Sequence, residues 1–190
     1  GTLHDRLQQG LKAGEALAII LQLAAALAEA HAQGIVHRDL KPSNVMMRGR
    51  EPVLTDFGIA REIGEDRTKI TGTNQVRGTP ADMTVDTAHG VALGTPAYMS
   101  PEQIEGLSVD VRTDLYSLGV MLYEVLTGAR PFHGDSPIAV CMQHLQAPIP
   151  MLPKALADLQ DVLDHMLAKS RDERFADMDS MVRATREVLE

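Results

Sequence analysis

The sequence predicts a mainly α-helical lobe with one small β hairpin inserted near its start. Three observations carry this. Hydrophobic residues make up 44% of 190 residues, enough for one domain with a proper core. Apolar residues recur at helical spacing in several long stretches. Two short adjacent runs, Val45-Met46-Met47 and Pro52-Val53-Leu54-Thr55, read as strands joined by Arg48-Gly49-Arg50-Glu51.

Leu3, Leu7 and Leu11 recur every four residues and predict a short amphipathic helix that stops by Gly14. Residues 15–33 form a long Ala- and Leu-rich helix of high intrinsic propensity. It is apolar nearly all round, which predicts burial on most sides. Gly34 ends it, and His31 near that end has a structural role. The hairpin then flanks a polar loop and holds Asn44 and Asp56 on one rim. Residues 59–100 are polar and Thr/Gly-rich, without period. Residues 114–127 are apolar on nearly every face and predict a buried helix, capped at its start by Thr113 or Asp114 and at its end by Gly128. Apolar-periodic helices at 137–146, 156–168 and 178–189 read as scaffold.

Composition narrows the function classes. The net charge is -8 and the pI about 5.3, a poor match to the phosphate backbone of nucleic acid. A single cysteine, Cys141, excludes an internal disulfide framework and fits a reducing compartment. It is expected as a small buried apolar residue. The seven His show no zinc-site spacing. The chain opens without a basic leader or signal-peptide pattern. Its longest apolar stretch, residues 16–28, is broken by Gln22 and falls short of the ~20 residues that span a bilayer; it reads as a core helix.

The chemistry concentrates in Ile-Val-His-Arg-Asp-Leu-Lys-Pro-Ser-Asn, residues 35–44. Pro42 fixes its own φ and biases Lys41 away from helix, so this is a loop able to aim several side chains at one spot. Asp39 can take a proton from a hydroxyl. Lys41 can hold a phosphate as a point charge. Asn44 offers the neutral oxygen that a hard cation such as Mg²⁺ accepts. Twelve residues further on, Asp56-Phe57-Gly58 places a second carboxylate after a short strand.

These motifs resemble the C-terminal lobe of eukaryotic-type (Hanks-type) serine/threonine protein kinases, most closely the bacterial members. His37-Arg38-Asp39 is similar to the catalytic loop (37–44), and Asp56-Phe57-Gly58 to the metal-binding motif that opens the activation segment (56–102). Gly94-Thr95-Pro96-Ala97-Tyr98-Met99-Ser100-Pro101-Glu102 is similar to the substrate-docking loop and the Ala-Pro-Glu motif, with Ser100 in place of Ala. The resemblance covers residues 1–190. It implies a kinase-like C-lobe without the N-lobe β sheet, since Gly1-Thr2-Leu3 would fall just after the inter-lobe hinge and neither G-x-G-x-x-G nor V-A-I-K occurs.

The resemblance also implies roles. Asp39 orients and deprotonates the acceptor hydroxyl, Lys41 stabilises the transferring phosphoryl group, and Asn44 and Asp56 hold Mg²⁺. Thr95 bonds near Asp39 and Lys41. His37 and Phe57 stack as core links. Leu3 and Met46 lie at adenine-contacting positions, although core packing and gap filling are the plain alternatives. Thr84 and Thr87 fall where bacterial relatives carry activating phosphothreonines, which Arg38 would pair; the alternative is solvated loop threonines, with disorder around 64–89 unless phosphorylated. Glu102 pairs with Arg174 in R-D-E-R-F. Asp114 either complements the helix dipole or anchors the backbone of the catalytic loop.

The implied activity is transfer of the ATP γ-phosphoryl group to Ser or Thr hydroxyls of proteins. Lys41 and the G-T-P-A-Y loop point away from Tyr specificity and from small-molecule kinases. ATP and Mg²⁺ are the cofactors. Protein substrates carrying Ser or Thr are the partners, with a second copy among them if a dimer autophosphorylates; nucleic acid is not. The expected setting is cytoplasmic, with a membrane anchor elsewhere in a longer parent left open. Two other readings stand: a pseudokinase, and a non-catalytic regulatory or docking lobe. The isolated chain is expected to be inactive.

Overall fold

A computed structural model describes residues 1–56, the backbone of 61–62, and residues 96–190. Phe57, Thr84, Thr87 and Thr95, and the expectation for 64–89, lie outside the described residues.

Helix α1 (Leu3–Gln9) opens on a reciprocal cap, in which Thr2 and Asp5 bond each other's backbone N–H. It ends at Gly10, whose φ of +82° suits glycine. The expected helix through Leu11 therefore stops earlier, and Leu11 packs from the following turn. Helix α2 (Ala13–Ala32) begins two residues before the predicted start and ends at Gly34, φ +78°. Ala16, Ile19, Ile20, Leu23 and Leu27 bury one face, while Ala18, Gln22, Ala25, Ala26 and Glu29 are exposed. The prediction of burial nearly all round is corrected here: alanine, apolar by composition, is small enough to sit at the surface at little cost. By length and composition α2 could cross a membrane, but its large side chains pack into the core against α4.

Strand β1 (Ile35–Val36) pairs antiparallel with β4 (Arg61–Glu62), which sequence reasoning did not anticipate. The predicted hairpin forms from β2 (Val45–Arg48) and β3 (Glu51–Leu54), in register Val45↔Leu54 to Arg48↔Glu51. Its loop is tighter than expected, because Arg48 and Glu51 pair across a two-residue turn that Gly49 enters at φ +62°. Thr2 bridges Met46, which ties the start of the chain to this hairpin.

Helix α3 (Pro101–Ile104) leads to α4 (Val111–Thr127), the centre of the lobe. Leu115, Tyr116, Leu118, Val120, Met121 and Leu122 are all buried. The N-cap of α4 is Asp110, whose carboxylate accepts from Arg112 N, not Thr113 or Asp114 as predicted. Gly128 ends the helix in the left-handed conformation. At Gly119 an added Cβ would come within 2.8 Å of Met166 Cβ on α6, so the glycine is what lets α4 and α6 approach.

Helix α5 (Pro137–Gln146) is capped by Ser136. A single helix over 156–168 is replaced by a 3₁₀ turn (Lys154–Leu159) followed by α6 (Gln160–Leu167). Helix α7 (Met178–Leu189), capped by Asp177, packs on α2. Cys141 is half-buried on α5, where full burial was expected; the buried position of that helix is taken by His144.

Candidate active site

The polar loop is shaped by its own residues. Lys41 is extended (φ -160°), as Pro42 requires of the residue before it. Pro42 then starts a 3₁₀ turn (Pro42–Asn44) closed by Asn44 N donating to Lys41 O at 2.9 Å. Arg38 holds φ +69° and Asp56 φ +60°. Among the described residues they are the only non-glycine residues in the left-handed region, and both lie at the candidate site. Such strain persists only where the surroundings fix it.

Those surroundings are visible. Asp114, fully buried in the first turn of α4, accepts from His37 N and Arg38 N, each at 2.9 Å. Of its two readings, the geometry is that of the loop anchor. His31 on α2 adds a third contact, with Nε2 2.8 Å from the same carboxylate. Gln103 Nε2 donates to Arg38 O at 2.8 Å, tying α3 to the loop. His37 Nδ1 accepts from Asp39 N, and its Nε2 lies 3.0 Å from Thr55 O. A backbone N–H can only donate and a carbonyl only accept, so the ring carries its proton on Nε2.

Three candidate side chains converge. Lys41 Nζ lies 3.1 Å from Asp39 Oδ2. Asn44 Nδ2 donates to Asp39 O at 2.8 Å and to Asp39 Oδ2 at 3.1 Å. Asp39 and Lys41 keep side-chain exposures of 31% and 26%, so a ligand can reach both. Thr55 N and Oγ1 donate to Asn44 O at 2.9 and 3.0 Å, which sets the exposed Asp56 next to this group through the chain. Asn44 Nδ2 is committed to Asp39, leaving Oδ1 as its acceptor. That oxygen and the Asp56 carboxylate are the hard donors Mg²⁺ takes, and Mg²⁺ commonly fills its remaining positions with water and phosphate. Among the described residues no group of three or more His, Cys, Asp or Glu could hold a metal by itself. Leu3 is fully buried in the core, and Met46 is 40% exposed on β2. The Nε of Arg38 is buried without a hydrogen-bond partner among the described residues.

On the docking-loop side, Ser100 caps α3 in a reciprocal pair with Gln103, a physical use for serine where the motif has alanine. Glu102 and Arg174 pair in a fork: Arg174 Nη1 donates to Oε1 at 2.8 Å and Nη2 to Oε2 at 2.9 Å. Thr113 Oγ1 also donates to Glu102 Oε1, at 2.7 Å. Burial raises the Glu102 pKa, but the bonds from Arg174 and Thr113 outweigh it and hold the carboxyl below its usual value. His144 links the same region: its Nδ1 meets Tyr116 OH at 2.8 Å and its Nε2 meets Ala97 O at 3.1 Å. Burial, with the nearby Lys169 charge, pushes its pKa down to about 4.

A family profile described as the protein kinase domain matches residues 1–185. The chain belongs to this family. It is a kinase-like C-lobe of the Hanks type, and the relatives it resembles are bacterial. It is 42% identical to serine/threonine-protein kinase PknB of Mycobacterium tuberculosis (strain ATCC 25618 / H37Rv) over 167 residues, 84% of the chain and 24% of the relative. It is 38% identical to a probable serine/threonine-protein kinase of Streptomyces coelicolor over 187 residues, covering 95% of the chain and 25% of the relative. It is 36% identical to the probable serine/threonine-protein kinase PknB of Lactococcus lactis over 173 residues, 88% and 25%. The chain thus spans about a quarter of the length of these relatives. Protein kinases as a family use ATP and Mg²⁺ and act on proteins. Gln103 and His144 of this kinase lobe escaped sequence reasoning, because their partners lie 65 and 47 residues away and no local spacing signals them; His31 was expected to be structural, but its partner, Asp114, 83 residues away, was not.

Proposed function

We propose that this lobe is the catalytic portion of a protein kinase that transfers the ATP γ-phosphoryl group to Ser and Thr hydroxyls. The observation that carries the reading is the contact of Asp39 with Lys41 at 3.1 Å, with Asn44 holding Asp39 at 3.1 Å. Asp39 orients the acceptor hydroxyl and takes its proton as the oxygen attacks phosphorus. Lys41, beside it, stabilises charge on the transferring phosphoryl oxygens. Asn44 Oδ1 and Asp56 would hold Mg²⁺, which when bound neutralises phosphate charge. Met46 would pack beneath adenine, with the buried Leu3 under that pocket, and Thr95 would bond near Asp39 and Lys41. The Arg38 Nε, without a hydrogen-bond partner among the described residues, would pair a phosphate on Thr84 or Thr87. His37 and Phe57 couple the two motifs. In this reading residues 37–44 are the catalytic loop, 56–102 the activation segment, and 1–190 the C-lobe of the domain, working in the cytoplasm on protein substrates.

One observation favours a second reading for the chain by itself. Neither G-x-G-x-x-G nor V-A-I-K occurs in its sequence, so these 190 residues alone are a docking lobe without phosphotransfer. The test is phosphotransfer from Mg-ATP by the full gene product, wild type beside Asp39→Asn, with phosphosites mapped by mass spectrometry. Activity in the wild type only, with phosphate at Thr84 or Thr87, is expected. Silence in both, with Mg-ATP still bound, gives a pseudokinase. Turnover by the 190-residue chain alone sinks the second reading.

A further inference from the structure

Three hydrogen bonds meet at the side-chain amide of Gln103, and together they admit one orientation of it. Ser100 donates to Oε1 twice, from its N at 3.0 Å and from its Oγ at 3.3 Å. Nε2 donates to Arg38 O at 2.8 Å. Turned over, the amide would set its NH₂ against the Ser100 N–H and its oxygen against the Arg38 carbonyl, which are contacts of like polarity. The reciprocal cap of α3 uses only the oxygen. A carboxylate at position 103 would serve that cap equally well, so the cap does not account for the amide nitrogen.

That nitrogen holds the peptide between Arg38 and Asp39. Arg38 sits at φ +69°, a conformation costly for any residue with a Cβ. Asp114 Oδ1 accepts from its N at 2.9 Å and Gln103 takes its carbonyl, so the strained residue is fixed at both ends from outside the loop. The far side of the same peptide is the Asp39 N–H, whose bond to His37 Nδ1 is longer, at 3.3 Å. A peptide group is planar. Holding its oxygen therefore holds the Cα of Asp39, from which the carboxylate projects.

We propose that Gln103 is a positioning residue for phosphotransfer: its amide, oriented by Ser100, fixes the Arg38–Asp39 peptide and so aims the Asp39 carboxylate at the acceptor hydroxyl. The inference rests on Asp39 taking that hydroxyl's proton. Gln103 acts through Arg38 and not on the reacting atoms. Ser100 is fully buried and closes the docking loop onto α3, while Arg38 lies 65 residues earlier in the chain than Gln103. The pose of Asp39 thus depends on the end of the docking loop being in place. Misplacing a reacting group by about 1 Å costs on the order of a hundredfold in rate.

Two variants separate the amide nitrogen from the cap. Gln103→Glu keeps an oxygen for Ser100 and loses the donor to Arg38 O. Gln103→Met keeps the side-chain length and loses both. Each is made in the full gene product, dephosphorylated, beside the wild type and Asp39→Asn. Phosphotransfer from limiting Mg-ATP onto the protein's own Ser and Thr residues is followed over a single turnover, and Mg-ATP affinity is measured by equilibrium binding. Hydrogen exchange is read by peptide mass spectrometry over residues 36–41 and, as a control on folding, over residues 115–122 of α4.

Both variants are expected to slow the turnover by about 10–100-fold while binding Mg-ATP within about twofold of the wild type. Residues 36–41 should exchange about tenfold faster, with residues 115–122 unchanged. A role confined to the cap gives another pattern, in which Gln103→Glu stays within about threefold of the wild-type rate with equal exchange and only Gln103→Met differs. That pattern overturns the proposal. So does a loss in Gln103→Glu alone, which would belong to the added charge. A wild type no faster than Asp39→Asn breaks the proton-acceptor reading itself and takes the proposal with it. An Asp39-dependent wild type with unaffected Gln103 variants breaks the proposal alone.

Discussion

Two sets of charged residues brace this lobe, and they are built in opposite ways. Glu102, Arg174 and Asp114 are buried, and each carries several short hydrogen bonds to fixed partners. Asp39, Lys41 and Asp56 keep solvent exposure and make few bonds. The buried set spends its charge on protein groups and so fixes backbone positions. The exposed set is held in place by its backbone and keeps its charge open to solvent. The two non-glycine residues at positive φ, Arg38 and Asp56, lie where one set hands over to the other. Asp114 takes the N–H of strained Arg38 at 2.9 Å, which lets the loop keep that conformation.

The contrast makes its strongest demand on Arg174. Arg174→Met leaves Glu102 buried with Thr113 as its remaining side-chain donor. An uncompensated buried charge costs about 3–5 kcal/mol, which for a chain of this size lowers Tm by on the order of 10 °C. Chemical denaturation checks this. A loss under 1 kcal/mol would mean that the buried set is not what fixes the lobe.

The next effect is one of pH. His144 has a folded pKa of about 4 against an ordinary 6.5. Between those values the unfolded chain binds a proton that the folded chain refuses, so stability falls as pH drops from 6.5 towards 4. The full loss is roughly 3 kcal/mol at 1.4 kcal/mol per unit. Glu102 also titrates in acid, so the measurement is a difference: denaturation curves at pH 7 and pH 4 for the wild type and for His144→Gln. The variant should lack this part of the acid slope, and equal slopes would remove His144 as its cause.

Gly119→Ala is a smaller perturbation away from any charge. The new methyl would sit 2.8 Å from Met166 Cβ, and overpacking of this kind costs about 1–3 kcal/mol. It separates the α4–α6 contact from the charged networks, since phosphotransfer chemistry should be unaffected at a temperature where the variant is folded. Thermal melts beside single-turnover rates read both.

The site's membership was legible in the sequence where motif residues sit close in the chain. Asp39, Lys41 and Asn44 span six residues, so their convergence follows from one loop and one proline. Glu102 with Arg174 was legible only through resemblance, because nothing in residue 102 announces a partner 72 residues away. What stayed illegible were polar side chains inside helices. His144 sits on an ordinary amphipathic segment, and burial of its ring depends on Tyr116, Phe132 and Ala97 arriving from elsewhere. The exposed face of α2 was misread for the converse reason: alanine counts as apolar in a pattern but tolerates water in a fold. Helix ends were moved by caps such as Asp110, whose bond to Arg112 N outcompetes a start at Thr113 or Asp114.

The smallest expected change in stability is at Asp39, and it separates the two sets most sharply. Its ion pair with Lys41 is about one-third exposed on the carboxylate side, and pairs so exposed contribute about 0–1 kcal/mol. Asp39→Asn keeps the backbone carbonyl that Asn44 Nδ2 bonds at 2.8 Å, so the loop keeps its anchor. The variant should melt within about 4 °C of the wild type. If Asp39 is the proton acceptor, phosphotransfer by the full gene product should nonetheless fall by about 10²–10⁴-fold. A large loss of stability would instead place Asp39 with the buried set, as a structural carboxylate. Unchanged stability with unchanged rate would leave the hydroxyl proton to another group. Only a stable, inactive variant is consistent with an exposed set whose charge is reserved for the reaction.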